Sequence, residues 1–306
     1  VHYYEKHSVG IITYEGRTNK KIFAKHQSTN KLKIFKMQDL FENISVTATQ
    51  EWSKYFSGLI PAGQPASAGK IELILCTSAE IASVVNSRLE IPSVYVVYPN
   101  HSWMDVRYVA ELYLLPVLEP AEAEDFWLML RLALIVSKTR NISVILITHD
   151  NFSFLIPEKK SSDQALIDYF LENIILPENY AHLDPIEKMA ALEKFAASSP
   201  LNSLIAGDDK TLGIIACGNI GNMLEKLPRL AYPILKLRHY PLGRELAEQL
   251  YYNCDEILVL EHGLPYIEQH LRGIMGIGTR IRGKINRIVP RNEKISLPMI
   301  SDILNL

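Results

Sequence analysis

Short unbroken runs of apolar and β-branched residues, with helical stretches between them, limit this chain's fold more than any other feature. Ile71–Cys76, Ser93–Val97 and Val144–Thr148 do not alternate apolar with polar residues. A strand with one wet face alternates; a strand covered by helices on both faces does not. Between these runs, 77–88 reads as a helix with Thr77 or Ser78 as N-cap and Glu80 in the first turn. Val106–Leu114 reads as a short helix and Pro116–Leu118 as a short strand stopped by Pro120. Residues 119–138 follow as a longer helix, with Pro120 near its first position and Glu122, Glu124 and Asp125 at the positive end of the dipole. Phe126, Met129, Leu130, Ala133, Leu134 and Val136 give that helix a broad apolar face. The alternation returns after Thr211: strands at 212–217, 233–237 and 256–260 each precede a helical stretch. The expected fold class is α/β, with two open, mostly parallel sheet domains flanked by helices.

A length of 306 residues fits two domains of ordinary size. The first is expected over 1–158 and the second over 211–273. A polar stretch opens at Lys159, and 159–210 reads as a helical connection, with helices near 165–172 and at 185–197. Residues 274–306, rich in glycine and basic groups, read as an irregular basic extension.

Composition excludes several function classes. Hydrophobic residues make up 48% and charged residues 22%, enough apolar material for sizeable cores and no case for disorder. A net charge of -2 argues against a polycation acting on nucleic acid. Cys76, Cys217 and Cys254 form no CxxC pair, so no iron-sulfur cluster or thiolate zinc site is built from this chain alone. They also argue against a disulfide scaffold and suit a reducing, cytoplasmic setting. The longest apolar runs are strand-sized, so no membrane span is expected.

The polar residues at strand ends are the candidates for chemistry, because ligands of open α/β sheets bind beyond the carboxyl ends of the strands. His149-Asp150, Glu261-His262 and His101-Ser102 hold such positions, and none has metal-ligand spacing by itself. A polar contact at the sheet edge is the structural alternative for each. Cys217-Gly218-Asn219-Ile220-Gly221 forms a strand-to-helix turn whose glycines suit close approach to an anion. It lacks the rest of a dinucleotide fingerprint: Met223 stands where the third small residue belongs, and the next strand ends in Lys236-Leu237-Arg238 without an acid. Glu51 follows the β-like run 44–47, as either a strand-end carboxylate or a solvated helix-start residue. From Arg272 to Lys294 seven basic residues face only Glu293, which reads as a solvated or partner-binding arm, with contact to an anionic cofactor as the alternative. Aromatic residues do not interleave with them, so no single-strand nucleic-acid platform is expected.

The stretches GIIACGNIGNMLEKL (213–227), PILKLRHYPLGRELAEQL (233–250), EILVLEHGLPYIEQHLRG (256–273) and RGKINRIVPRNEKIS (282–296) resemble the second domain of the large subunit of indolepyruvate ferredoxin oxidoreductase and the segment after it. Those enzymes are thiamine-diphosphate-dependent 2-oxoacid:acceptor oxidoreductases. Residues 98–147 resemble the family's pyrimidine-type domain, with His101-Ser102, Asp105, Arg107 and Leu118-Glu119-Pro120 in matching places. The resemblance implies decarboxylation of arylpyruvates on thiamine diphosphate, capture of the product by coenzyme A, and transfer of two electrons through iron-sulfur clusters to ferredoxin. It also implies a pyrimidine-side glutamate that activates the cofactor. Glu51 falls near that place, with His101 and His149 as the nearest polar candidates.

The departures shape the expectation. These 306 residues contain no Gly-Asp-Gly magnesium motif and no cysteine-rich cluster domain. The family's Asn-Glu pair appears as Gln50-Glu51, its glycine- and proline-rich early segment is missing, and its Thr-Thr-Arg segment appears as Thr148-His149-Asp150. Thiamine diphosphate with Mg²⁺ is therefore expected only if shared with a partner chain in a hetero-oligomer. That partner would carry the diphosphate-binding domain and iron-sulfur clusters. Three readings stay open: a fragment of a longer chain, one subunit of a split enzyme, or a degenerate copy retained as a catalytically inactive scaffold or assembly subunit. A nucleotide binder using Gly218–Gly221 is the weaker alternative.

Overall fold

The computed structural model describes residues 44–48, 71–87, 91–99, 104–148, 167–169, 172, 176–228, 230–275, 280–291 and 294–306. In chain order its elements are β1 (Ile44–Ala48), β2 (Ile71–Thr77), α1 (Ile81–Asn86), β3 (Ser93–Tyr98), α2 (Val106–Leu112), β4 (Val117–Leu118), α3 (Ala123–Arg140) and β5 (Val144–Ile147). There follow α4 (Pro185–Ala197), β6 (Ser203–Ile205), β7 (Leu212–Cys217), α5 (Ile220–Leu224), β8 (Ile234–Leu237) and β9 (His239–Tyr240). The chain closes with α6 (Arg244–Asn253), β10 (Glu256–Leu260), α7 (Tyr266–Met275), β11 (Ile281–Arg282) and α8 (Leu297–Leu304). They belong to two compact units, one of 1–100 with 122–167 and one of 101–121 with 168–306.

In the first unit β1, β2, β3 and β5 lie side by side, all parallel. Every residue of β3 and β5 is buried, as their unbroken apolar runs require. Helix α3 packs on β2, β3 and β5 through Phe126, Met129, Leu130, Ala133 and Leu134, all buried. It begins at Ala123, so Pro120 lies ahead of the helix, not near its first position. It stops at Asn141, whose left-handed φ of 54° is a conformation that asparagine tolerates better than most residues. The helix after β2 is shorter than the sequence suggests. Strand β2 continues through Thr77, and Glu80 occupies the N-cap of α1. The Glu80 carboxylate accepts bonds from the Thr77 amide and hydroxyl, at 3.0 and 2.9 Å, which ties down the turn between strand and helix.

In the second unit β10, β7 and β8 are parallel neighbours in that order. β11 adds parallel to β10, and the edge strand β6 adds antiparallel to β8. The chain runs from β7 to β8 on one side, then crosses to β10 on the other side of β7. The order of strand addition therefore reverses between β7 and β10. Strands β4 and β9 form an antiparallel pair, Val117 opposite Tyr240 and Leu118 opposite His239. Asn202, 7% exposed, spends its whole amide on the backbone nearby. Its Nδ2 donates to the Ala196 and His239 carbonyls, and its Oδ1 accepts from the Arg238 and His239 amides.

The C-terminal residues depart from the irregular arm read in the sequence. Val289, Ile295, Ile300 and Leu304 are buried in one cluster with Ile214, Ala216, Ile220, Leu224, Leu258 and Leu260. The basic residues there are largely structural. Arg272 pairs with Glu268 at 2.9 Å, and Arg282 with Glu256 at 2.8 Å. Arg280 donates to the Asp255 carbonyl at 2.5 Å, and Arg291 to the Lys284 carbonyl at 3.0 Å. These partners lie outside the basic run or are not acids: Glu268 is one turn earlier on the same helix, Glu256 is on β10, and Arg280 and Arg291 bind carbonyls.

Candidate functional site

Glu51, His101 and His149, with Ser102 and Asp150, lie outside the described residues. The strand-end groups of the second unit are described, and they converge at the carboxyl edge of β7 and β10. Strand β7 ends in Cys217-Gly218, where φ is +58°, and β10 leads into Glu261-His262-Gly263, where Gly263 has φ +68°. Because these strands are neighbours, the two turns face each other. His262 Nε2 lies 2.7 Å from Asn219 Oδ1, linking them.

Around this edge is a buried charged cluster. Arg107, 4% exposed, enters from α2. Its Nε and Nη2 bind Asp105 at 2.9 and 2.6 Å, and its Nη1 lies 3.0 Å from Glu261. Nη2 also donates to the His262 carbonyl at 3.1 Å. The Tyr240 and Tyr266 rings lie 5.4 and 5.0 Å from the guanidinium carbon, within cation–π range. Asp105 also caps α2 by accepting from the Arg107 amide at 3.0 Å. Glu261 does the same for α7, accepting from the Ile267 and Glu268 amides at 2.9 and 3.0 Å. The Tyr240 hydroxyl donates to Glu119 at 2.5 Å. Lys284, 2% exposed, donates from Nζ to the Gly263 carbonyl at 2.5 Å.

The electrostatics follow from this packing. Burial opposes charge on Arg107, but Asp105 and Glu261 outweigh it and hold the guanidinium well above its usual pKa. Burial raises the Glu261 carboxyl, against the pull of Arg107 and the two α7 amides. Burial lowers Lys284, with Glu261 opposing. Burial, then Glu119, pushes the Tyr240 hydroxyl up. Burial likewise raises the Cys217 thiol, which keeps it protonated and a poor nucleophile. Each charge is met by a charge, a hydroxyl or a backbone dipole of the same unit, an arrangement that holds elements in place.

The glycine turn is not a completed nucleotide fingerprint. Met223 packs against the core, α5 spans only Ile220–Leu224, and Lys236 at the end of β8 pairs with Glu225. Sequence reasoning placed Glu261, His262 and the glycine turn at strand ends. It did not bring in Lys284, counted only as one of seven residues of the basic run, or Tyr240 in the short strand β9. Among the described residues no group of three or more His, Cys, Asp or Glu side chains could hold a metal ion. No helix among them is long and apolar enough to cross a membrane.

No family model matches the chain. Curated relatives do. Indolepyruvate oxidoreductase subunit IorA of Archaeoglobus fulgidus is 29% identical over 215 residues, covering 65% of this chain and 34% of the relative. IorA of Methanothermobacter thermautotrophicus is 26% identical over 230 residues, 67% of this chain and 37% of the relative. IorA of Pyrococcus abyssi is 25% identical over 236 residues, with 68% and 36% covered. The chain is a distant homologue of these subunits and spans about a third of their length.

Proposed function

We propose that this chain is the pyrimidine-side subunit of a thiamine-diphosphate-dependent 2-oxoacid:ferredoxin oxidoreductase acting on arylpyruvates of the indolepyruvate kind. The observation that carries this reading is the alignment of two thirds of the chain with IorA subunits. The cofactor supplies the electron sink for decarboxylation, and the protein's part is to place and polarise it. Glu51 is the acid toward the aminopyrimidine, with His101 and His149 the nearest polar groups. The described residues do not suit the metal-bound diphosphate: they gather no ligand cluster, and the buried Glu261 and Glu119 are engaged by Arg107, Tyr240 and helix amides. That end of the cofactor, and the iron-sulfur clusters, are assigned to a partner chain in a hetero-oligomer.

The test is purification of the native complex from its source, with mass spectrometry of co-purifying chains and analysis of bound thiamine diphosphate. A partner bearing a Gly-Asp-Gly motif, with cofactor present, is the expected result. In that complex Glu51→Gln abolishes arylpyruvate-dependent ferredoxin reduction while assembly is retained. Unchanged turnover would sink the assignment of Glu51.

The closed charge cluster favours one second reading, a scaffold or assembly subunit that keeps the fold. An intact, cofactor-free complex would support it.

A further inference from the structure

In open α/β sheets the crevice where strand order reverses is the position that receives ligands. In the second unit that crevice lies between the ends of β7 and β10, because β8 was added on one side of β7 and β10 on the other. A glycine stands at each side of it. In dinucleotide-binding sheets a glycine at such a turn lets the backbone approach a phosphate. Here both glycines meet carboxylates of the same chain. A Cβ on Gly218 would lie 2.3 Å from Glu119 Oε1, and one on Gly263 would lie 3.0 Å from Asp105 Oδ2. Asp105 precedes α2 and Glu119 follows β4, so the two acids bracket one segment.

We propose that residues 105–119 are an internal ligand of the second unit. Asp105 and Glu119 take the anion positions of its switch-point crevice, and this docking holds α2 and β4 in place. Arg107 fastens the first end to Glu261 and to the His262 and Leu264 carbonyls. Tyr240 fastens the second end through its bond to Glu119, and the Glu119 amide donates to the Arg238 carbonyl at 2.8 Å. Lys284 steadies the Gly263 turn by donating to its carbonyl. The crevice is thus spent on positioning the segment that follows His101, and is closed to nucleotides and coenzymes. The inference concerns the second unit alone and holds for a catalytic subunit or a scaffold.

Hydrogen exchange on the full chain, read by mass spectrometry, tests it. In Glu119→Ala the amides of 106–118 should exchange roughly tenfold faster while β7 and β10 keep wild-type protection. The shape-preserving Glu119→Gln should move the same amides by less and secures the test if the alanine variant folds poorly. Unchanged exchange at 106–118, or equal acceleration across β7 and β10, would overturn the proposal. Inorganic pyrophosphate titrated into the wild-type chain should leave the Gly218 and Gly263 amide resonances in place. Saturable shifts of both would show an open anion site and overturn it as well.

Discussion

Arg107 carries its charge where charge is costly, and does so because Asp105 and Glu261 flank it within 3.0 Å. Taking away the cation strands two buried acids. Arg107→Met should therefore destabilise the fold by about 3–5 kcal/mol, measured by urea denaturation. Loss of less than about 1 kcal/mol would show that water reaches the cluster. His239 makes a prediction of a different kind. It is fully buried, and burial pushes its pKa down to about 3 from the usual 6.5. Between those values the unfolded chain binds a proton that the folded chain refuses, so stability rises with pH. The contribution is complete above about pH 6.5 and is lost on descending toward pH 3, at up to about 1.4 kcal/mol per pH unit. Urea midpoints of wild type and His239→Gln between pH 4 and 7 check this: the variant should lack that part of the slope. Of these residues, Arg107 and Glu119 stood out in the sequence only through the resemblance. Lys284 stood in the sequence only as one of seven basic residues, because its burial depends on a β10–α7 turn some twenty residues away.

Elements were more legible than sites where one local rule decided them. β10 at Glu256–Leu260 and α4 at Pro185–Ala197 have the bounds read from the sequence. Helix α4 is announced by Asp184, whose carboxylate accepts from the Ile186 and Glu187 amides, with Pro185 at its first position. The start of α3 was misread because Pro120 satisfies the rule for a first helical residue without being one. The C-terminal residues were misread because dense basic groups and glycines hid widely spaced core positions. The structure makes α8 a part of the core, and Ile300 is fully buried in it. Ile300→Ala should cost about 2–5 kcal/mol by leaving a cavity, seen as a lowered urea midpoint. A solvated arm would lose almost nothing. Asn202 belongs to the same scale, since its amide joins the end of α4 to β9. Asn202→Leu leaves four backbone groups without that partner and should cost more than about 2 kcal/mol in the same measurement.

At the scale of the molecule, the alternating strands and helices made the two-sheet architecture readable, because burial on both faces leaves its mark on every strand. Partnership is not written that way. It enters through what the proposed reaction demands and what these 306 residues contain. Thiamine diphosphate has two ends that proteins read by different means: an aminopyrimidine met by a carboxylic acid, and a diphosphate met by a metal ion and backbone amides. The proposal gives this chain the first end alone, at Glu51, and gives the Gly-Asp-Gly magnesium site to a partner. It follows that the isolated chain should scarcely distinguish thiamine from thiamine diphosphate with Mg²⁺, with dissociation constants within roughly tenfold, or about 1.4 kcal/mol. The assembled complex should prefer the diphosphate by far more, since the metal-bound end then finds its site. Equilibrium dialysis of both ligands against the chain alone and against the complex makes the comparison. A strong preference for the diphosphate by the chain alone would place the metal-binding end within these residues and dissolve the need for a partner. No preference by the complex would remove thiamine diphosphate from the function altogether.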